Sequence, residues 1–254
     1  MGWASHRRVL YAVGAGIALL IILSVPIYKI AAVPPSCTDG KQNGDEQGVD
    51  CGGACALICP ALARKPIVHW ARMFKVSDGV YDAAAYVENP NTDARTREAI
   101  YRFKAYDSDN ILILERLGKT RMEAGEVFAI FLGGIKTGER EPRRIFFEFE
   151  PDMAFERAER REAPLVAVSP LLQNPDDNPR LSSKLKNRTA LIVRGIDVVA
   201  ILYAGENAVT ASATHIDEIK GNGEEEAVFT WPRPIEGTIT RIEIIPRPRE
   251  SIAR

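Results

Sequence analysis

Every cysteine of this 254-residue chain falls in one short run: Cys37, Cys51, Cys55 and Cys59. Four thiols this close could ligate zinc, run thiol exchange, hold an iron–sulfur cluster or be joined in pairs. Zinc sites usually draw cysteines in pairs two to four residues apart from two separated places. Here Cys37 stands alone before the close series of Cys51, Cys55 and Cys59. A redox site needs Cys-x-x-Cys near a helix start, and no such spacing occurs. An iron–sulfur site needs other spacings and a reducing compartment. An even count in a tight cluster fits two disulfides, provided the segment lies in an oxidising compartment. Four cysteines allow three pairings, and spacing does not choose among them. Cys37–Cys55 with Cys51–Cys59 is the pairing we favour.

Hard oxygen ligands lie between these cysteines. Asp39, Asn43, Asp45, Glu46 and Asp50 alternate with Gly40, Gly44, Gly48, Gly52 and Gly53. Oxygen donors on a glycine-rich loop suit calcium, since glycine also lets backbone carbonyls turn toward a cation. The stretch from Asn43 imitates an EF-hand loop but has Asn at the first position and Ala54 at the twelfth, where a bidentate Glu belongs. It is not an EF-hand. The competing reading is that Asp, Asn and Gly make turns in a segment too small for a core. Calcium at Asp39, Asn43, Asp45, Glu46 and Asp50 is therefore the one cofactor expectation the sequence raises.

Read in order, Cys37, Asp39, Gly40, Asn43, Gly44, Glu46, Val49, Asp50, Cys51, Gly52, Gly53 and Cys55 resemble a short C-x-DG-x-x-NG-x-E-x-x-VDCGG-x-C motif of bacterial cell-surface proteins. The resemblance covers about two dozen residues and implies a location outside the cell.

The element that must place this cluster precedes it. Val9 to Tyr28 runs without a charge. Twenty helical residues at about 1.5 Å each span roughly 30 Å, the depth of a hydrocarbon core. Arg7 and Arg8 stand before the run and Lys29 after it, so the positive-inside rule puts residues 1–8 in the cytoplasm. Trp3 and Tyr28 are placed as interfacial anchors. A cleaved signal peptide fits less well, because the apolar run is long and Tyr28, Lys29 and Ile30 occupy the place of a small-x-small cleavage site. Everything after the span at 9–30 is then extracytoplasmic, where cysteines are oxidised.

Beyond a cysteine-rich knuckle at 31–61, the sequence repeats weakly at an offset of 98. Asn89 faces Asn187, Gly125-Glu126 faces Gly223-Glu224 and Phe131 faces Phe229, while Tyr106 and Tyr203 differ by 97. A copy of ninety-odd residues has the size of a small domain. Apolar residues alternate in both copies, and Gly195–Ala204 is apolar on both faces, which predicts a central strand. Turn signals such as ENPNTD, YDSDN, AGENA and KGNGEE punctuate the pattern. Mainly β architecture follows: an N-terminal transmembrane helix, a disulfide-rich knuckle and two β-sandwiches at 62–152 and 164–250. Met153–Ala163 reads as a charged linker helix between them. With VENPNTD, then Phe103-Lys104-Ala105-Tyr106-Asp107 in the first copy and Ile201-Leu202-Tyr203-Ala204 in the second, both copies resemble the FxLYD-type, late-embryogenesis-like β-sandwich domain. That resemblance implies an immunoglobulin-like fold and transfers no catalytic residue.

Other candidate sites have plain structural readings. His69 and His215 sit on predicted strands, where an isolated histidine is usually structural. Asn187-Arg188-Thr189 is a glycosylation sequon. The arginine runs, Arg247 and Arg249 included, are broken by Glu and Pro, so no polyanion groove is indicated. The formal net charge of −1 gives no field for nucleic acid. The expected role is a single-span, membrane-anchored, extracytoplasmic interaction or assembly component of the cell envelope. It would have no catalysis and an envelope protein as partner. The rival roles are a calcium-dependent adhesin or spacer and an envelope thiol-exchange enzyme.

Overall fold

The computed structural model describes residues 3–31 and 35–249. Met1 and Gly2 of the expected cytoplasmic segment, residues 32–34 of the expected knuckle and Glu250 of the expected second sandwich lie outside them. The chain forms two compact units, 1–56 and 57–254.

In the first unit, α1 (Trp3–Ala31) contains the apolar run, with Pro26 in its last part. His6–Pro26 has a mean hydropathy of 2.3 and its side chains are not buried by protein. By length and composition this helix is able to cross a membrane. The rest of the unit is a compact series of turns tied by Cys37–Cys55.

The second unit is all β. Its strands are β1 (Leu57–Ile58), β2 (Ile67–Ser77), β3 (Val80–Glu88), β4 (Ala94–Tyr106), β5 (Leu112–Met122), β6 (Val127–Lys136), β7 (Arg144–Phe149), β8 (Phe155–Arg157), β9 (Leu165–Gln173), β10 (Arg180–Asn187), β11 (Val193–Ala204), β12 (Asn207–Ile219), β13 (Glu224–Thr230) and β14 (Arg241–Pro248). The first half pairs β2-β3-β6 against a sheet in which β4 lies between β5 and β7. The second half pairs β9-β10-β13 against β12-β11-β14. All these pairings are antiparallel. Each half is a sandwich of two layers, three-stranded throughout except that β1 and β8 extend the β5-β4-β7 layer of the first half to five strands. One buries Phe103, Phe128, Met122 and Val87, the other Leu181, Leu185, Ile196 and Leu202.

The two sandwiches share a third core. Phe74, Ala84 and Ala129 from the outer face of β2-β3-β6 meet Val199, Ile201, Tyr203 and Ala211 from the outer face of β12-β11-β14. This explains two sequence features. The apolar run in β11 is buried on both faces because one face lines its own sandwich and the other lines the shared core. Ala83-Ala84-Ala85 in β3 is fully buried for the same reason, since small side chains let stacked sheets approach closely.

The expected helix at Met153–Ala163 does not form. Phe155–Arg157 is strand β8, which pairs with β1 and with Ala94 and Arg95 of β4. Phe155 is buried in the first core, and Glu156 on the other side meets Arg95 and Arg97. Charges at helical spacing suggested a solvated helix. Burial of one aromatic residue and alternation across a strand outweigh that weak propensity. The knuckle also ends sooner than the expected 61, because Leu57 and Ile58 belong to β1.

Candidate functional site

The knuckle is built from left-handed turns. Asp50, Gly52 and Gly53 have φ of 56°, 75° and 55°. The Asp50 carboxylate accepts the backbone N–H groups of Asp39 and Gly40 at 3.0–3.2 Å. Asp39 accepts from the Lys41 N–H and from Asn43 Nδ2; the Asn43 bond is the largest of the effects that lower its pKa, although the side chain is exposed. Glu46 accepts the Asn43 N–H. Three of the five oxygen-bearing residues expected for calcium are thus turn-closing acceptors, and Asn43 is donor to two of them. Asp45 contributes its backbone carbonyl beside Gly53.

Among the described residues, Cys37, Glu46 and Cys55 bring metal-ligating side chains together. Two of these are spent in the disulfide, so they present no thiolate. Cys51 and Cys59 are disulfide-bonded as well, and no cysteine is free.

The glycine of this turn permits a strong test. A Cβ on Gly53 would sit 1.7 Å from the Asp45 carbonyl oxygen, and its φ of +55° already disfavours an L side chain. Gly53→Ala should therefore open the turn. The expected result is a knuckle whose disulfides are reduced at least tenfold faster by glutathione, while Gly40→Ala, which shares the positive φ (+70°) but meets no atom within 4 Å, carries the backbone cost alone and changes the rate less. Thiol trapping over time measures both.

A second candidate site is a cleft of about 720 Å³ in the β unit. Its wall in the first half carries Arg97, Tyr101, Lys119 and Arg121 on β4 and β5, and Phe131 on β6. Its wall in the second half carries Asp197 and Val199 on β11, His215 on β12 and Ile245, Arg247 and Arg249 at the end of the chain. The register explains the meeting. In β4, Thr96 pairs with Met122 and Ala99 with Thr120, so one extra residue bulges at Arg97–Glu98 and turns those side chains toward the cleft.

Two half-buried arginines tie the walls together. Arg247 donates to Glu126 at 2.8 Å, to Thr120 Oγ1 at 2.8 Å and to the Arg121 carbonyl, and lies 3.8 Å over the Phe128 ring. Arg121 donates to the Pro248 carbonyl at 2.5 Å and to Glu123 at 2.6 Å. Burial, then the nearby Arg247 charge, lowers the Arg121 pKa. At the rim, Arg249 and His215 share the Asp197 carboxylate at 2.9 and 2.8 Å. Burial opposes ionisation of Asp197, but these two partners more than offset it and hold its pKa low.

Beside the cleft, Glu243 accepts from Tyr203 Oη at 2.9 Å and Tyr86 Oη at 3.2 Å. Burial, then the Glu243 charge, raises the Tyr86 pKa to about 12. Trp70 stacks on Tyr86, and Arg241 covers the Tyr203 ring at 3.9 Å.

The histidines of the sequence analysis sit in cross-strand hydrogen bonds with carboxylates, His69 with Glu88 and His215 with Asp197. The sequon asparagine is 3% exposed and its Nδ2 donates to the carbonyls of Leu191, Ile219 and Lys220, so Asn187 is a structural corner in the folded chain. Sequence reasoning missed the cleft. Arg121 and Arg249 are separated by 128 positions, and only the shared core brings them together.

No family model and no curated protein matches the chain. Among solved structures, a transglutaminase of red sea bream is similar over 70% of this chain and 29% of its own, at 8% identity and a TM-score of 0.27. A GH2 β-galacturonidase from Eisenbergiella tayi bound to galacturonate is similar over 60% of this chain and 29% of its own, at 11% identity and a TM-score of 0.19. The chain thus spans under a third of either protein.

Proposed function

We propose that this chain is a membrane-anchored, extracytoplasmic interaction or assembly component of the cell envelope. Its N-terminus lies in the cytoplasm, and its β unit serves as a stiff two-module body that binds an envelope protein without chemical conversion. The supporting observation is the third core, which fuses two sandwiches into one block, in a chain that also carries an apolar helix long enough to cross a membrane. Such a block holds its surfaces at fixed geometry, as a scaffold requires and a flexible tether does not.

Several observations favour the details. Arg7 and Arg8 before the span support the N-in orientation. Oxidised cysteines fit an oxidising compartment, and Cys55 at 1% exposure is poorly placed for thiol exchange. The strand pairing β2-β3-β6 with β5-β4-β7 recurs as β9-β10-β13 with β12-β11-β14. That recurrence favours duplication of one immunoglobulin-like, FxLYD-type unit. Long, regular edge strands such as β5 can accept a partner strand. The calcium-dependent spacer is less favoured, because Asp39, Glu46 and Asp50 already serve as acceptors that close the knuckle's turns.

Orientation is tested with reporters fused after the β unit. A periplasm-active phosphatase should give signal and a cytosol-active fluorescent protein should not; the reverse sinks the proposal. Partner binding is tested by a photo-crosslinking residue at Leu117 on the β5 edge, which is 62% exposed. One discrete membrane-fraction adduct, lost when a charge is placed beside it, is expected. A smear no different from that at Leu191 counts against a defined partner.

A further inference from the structure

The cleft between the sandwiches is an unassigned cavity, and we propose that it binds a small anionic ligand that joins a phosphate or carboxylate to an apolar or ring-shaped body. This goes beyond the scaffold role and holds whichever way the membrane helix points. Three observations carry it.

The first is size and place. About 720 Å³ lies in the range of small-molecule sites, which favour the junction of two domains. The walls are held apart by the shared core and the Arg121–Arg247 ties, so the space is preformed and little ordering is needed on binding.

The second is charge. Lining the cleft, Arg97, Lys119, Arg121, Arg247 and Arg249 each meet a carboxylate, those of Glu156, Glu98, Glu123, Glu126 and Asp197, so what the cleft offers an anion is the donors these pairs leave over. Arg121 and Arg247 are consumed by internal bonds. The rim cations are not. Arg97 commits Nε to Glu156, which Arg95 also uses at 3.6 Å, so one carboxylate serves two guanidiniums. Arg249 commits Nε and Nη2 to Asp197. A guanidinium has five N–H donors in a planar fork, so both side chains are oriented by carboxylates yet keep donors for a second one. Lys119 adds an ammonium, 64% exposed and held by Glu98.

The third is the lining between the charges. Tyr101, Phe131, Val199 and Ile245 supply apolar surface against which a ring or short chain loses water. Cations at the rim and apolar side chains inside select an amphipathic anion. A bare ion would gain only the rim, and a neutral molecule only the lining.

The test is calorimetric titration of the full chain in lipid nanodiscs against an empty-nanodisc blank. The probes are phenyl phosphate, phenylacetate and the neutral benzyl alcohol. Both anions should bind at least tenfold more tightly than benzyl alcohol, and the tighter of the two names the headgroup. Arg97→Gln with Arg249→Gln should weaken the anions about tenfold or more and leave benzyl alcohol unchanged, with the melting temperature checked to confirm the fold. Lys119→Gln alone, expected to cost a few-fold, gives the same reading if the double variant misfolds. Lys184→Ala, on the far sheet, should have no effect. Equal binding of the neutral probe, unaltered anion binding in both rim variants, or no heat of binding from either anion overturns the proposal.

Discussion

Asn187→Ala should destabilise the second sandwich by about 3 kcal/mol, and Asn89→Ala the first by a similar amount, although each removes only a few atoms. Asn187 Nδ2 donates to three carbonyls, those of Leu191, Ile219 and Lys220, and its Oδ1 accepts the N–H and hydroxyl of Thr189. Asn89 Nδ2 donates to the carbonyls of Ala94 and Glu123, while its Oδ1 accepts from Asn91. Both asparagines are buried, at 3% and 0% exposure. Leaving a buried partner unsatisfied costs about 1–3 kcal/mol per group, and each substitution strands two or more. Asp has the same shape but cannot donate, so Asn187→Asp should be no better than alanine and sets repelling oxygens together. Denaturant unfolding measures the loss. An Asn187→Ala midpoint within error of the parent would show that water replaces the amide and that the corner is not a structural lock. The same geometry predicts that Asn187 takes no glycan in the folded chain, because the nitrogen that would be modified is already committed.

The repeated corner shows what could be read without coordinates. Asn89 and Asn187 stood out at an offset of 98, together with Gly125-Glu126 and Gly223-Glu224. In the structure those residues meet, with the Asn89 N–H on the Glu126 carbonyl and the Asn187 N–H on the Gly223 carbonyl. Alternation along the strands was equally legible, because burial of one face has a period of two. The Cys37–Cys55 bridge came from compartment and count plus a choice among three pairings. Two features were hidden. At Met153–Ala163 the charges outnumber the one residue, Phe155, whose burial decides the backbone. At the cleft, each arginine reads locally as a solvated charge beside Glu or Pro. The partners that Arg121 and Arg247 reach come from the other sandwich, and nothing in local pattern encodes the stacking of two sheets. The one hint was β11 itself. A strand apolar on both faces in a three-stranded layer needs cover on its second side, and Gly195–Ala204 stated that need without naming what supplies it.

What supplies it can be removed at one position. Tyr203 is 2% exposed. It sits in the shared core with its hydroxyl on Glu243, its ring edge-on to Trp70 and Arg241 across its face. Truncating a buried aromatic to alanine costs about 3–5 kcal/mol, and here the loss includes a hydrogen bond to a carboxylate and a cation–π contact. Tyr203→Ala should cost about 4 kcal/mol, and because the cavity opens between sandwiches, it should act on their coupling. The parent β unit should unfold in one transition by both fluorescence and far-ultraviolet circular dichroism. In the variant the two halves should separate into two transitions, since each retains its own core around Phe103 or Leu202. Tyr203→Phe separates the ring from the hydroxyl. It keeps the packing, loses the Glu243 bond and should cost about 1 kcal/mol with one transition intact. If Tyr203→Ala lowers stability yet the unit still unfolds in a single step, the sandwiches cooperate through something other than this core. The stiffness that the scaffold role requires would then have to come from the Arg121–Arg247 ties, and Arg247→Ala would be the variant that splits the transition.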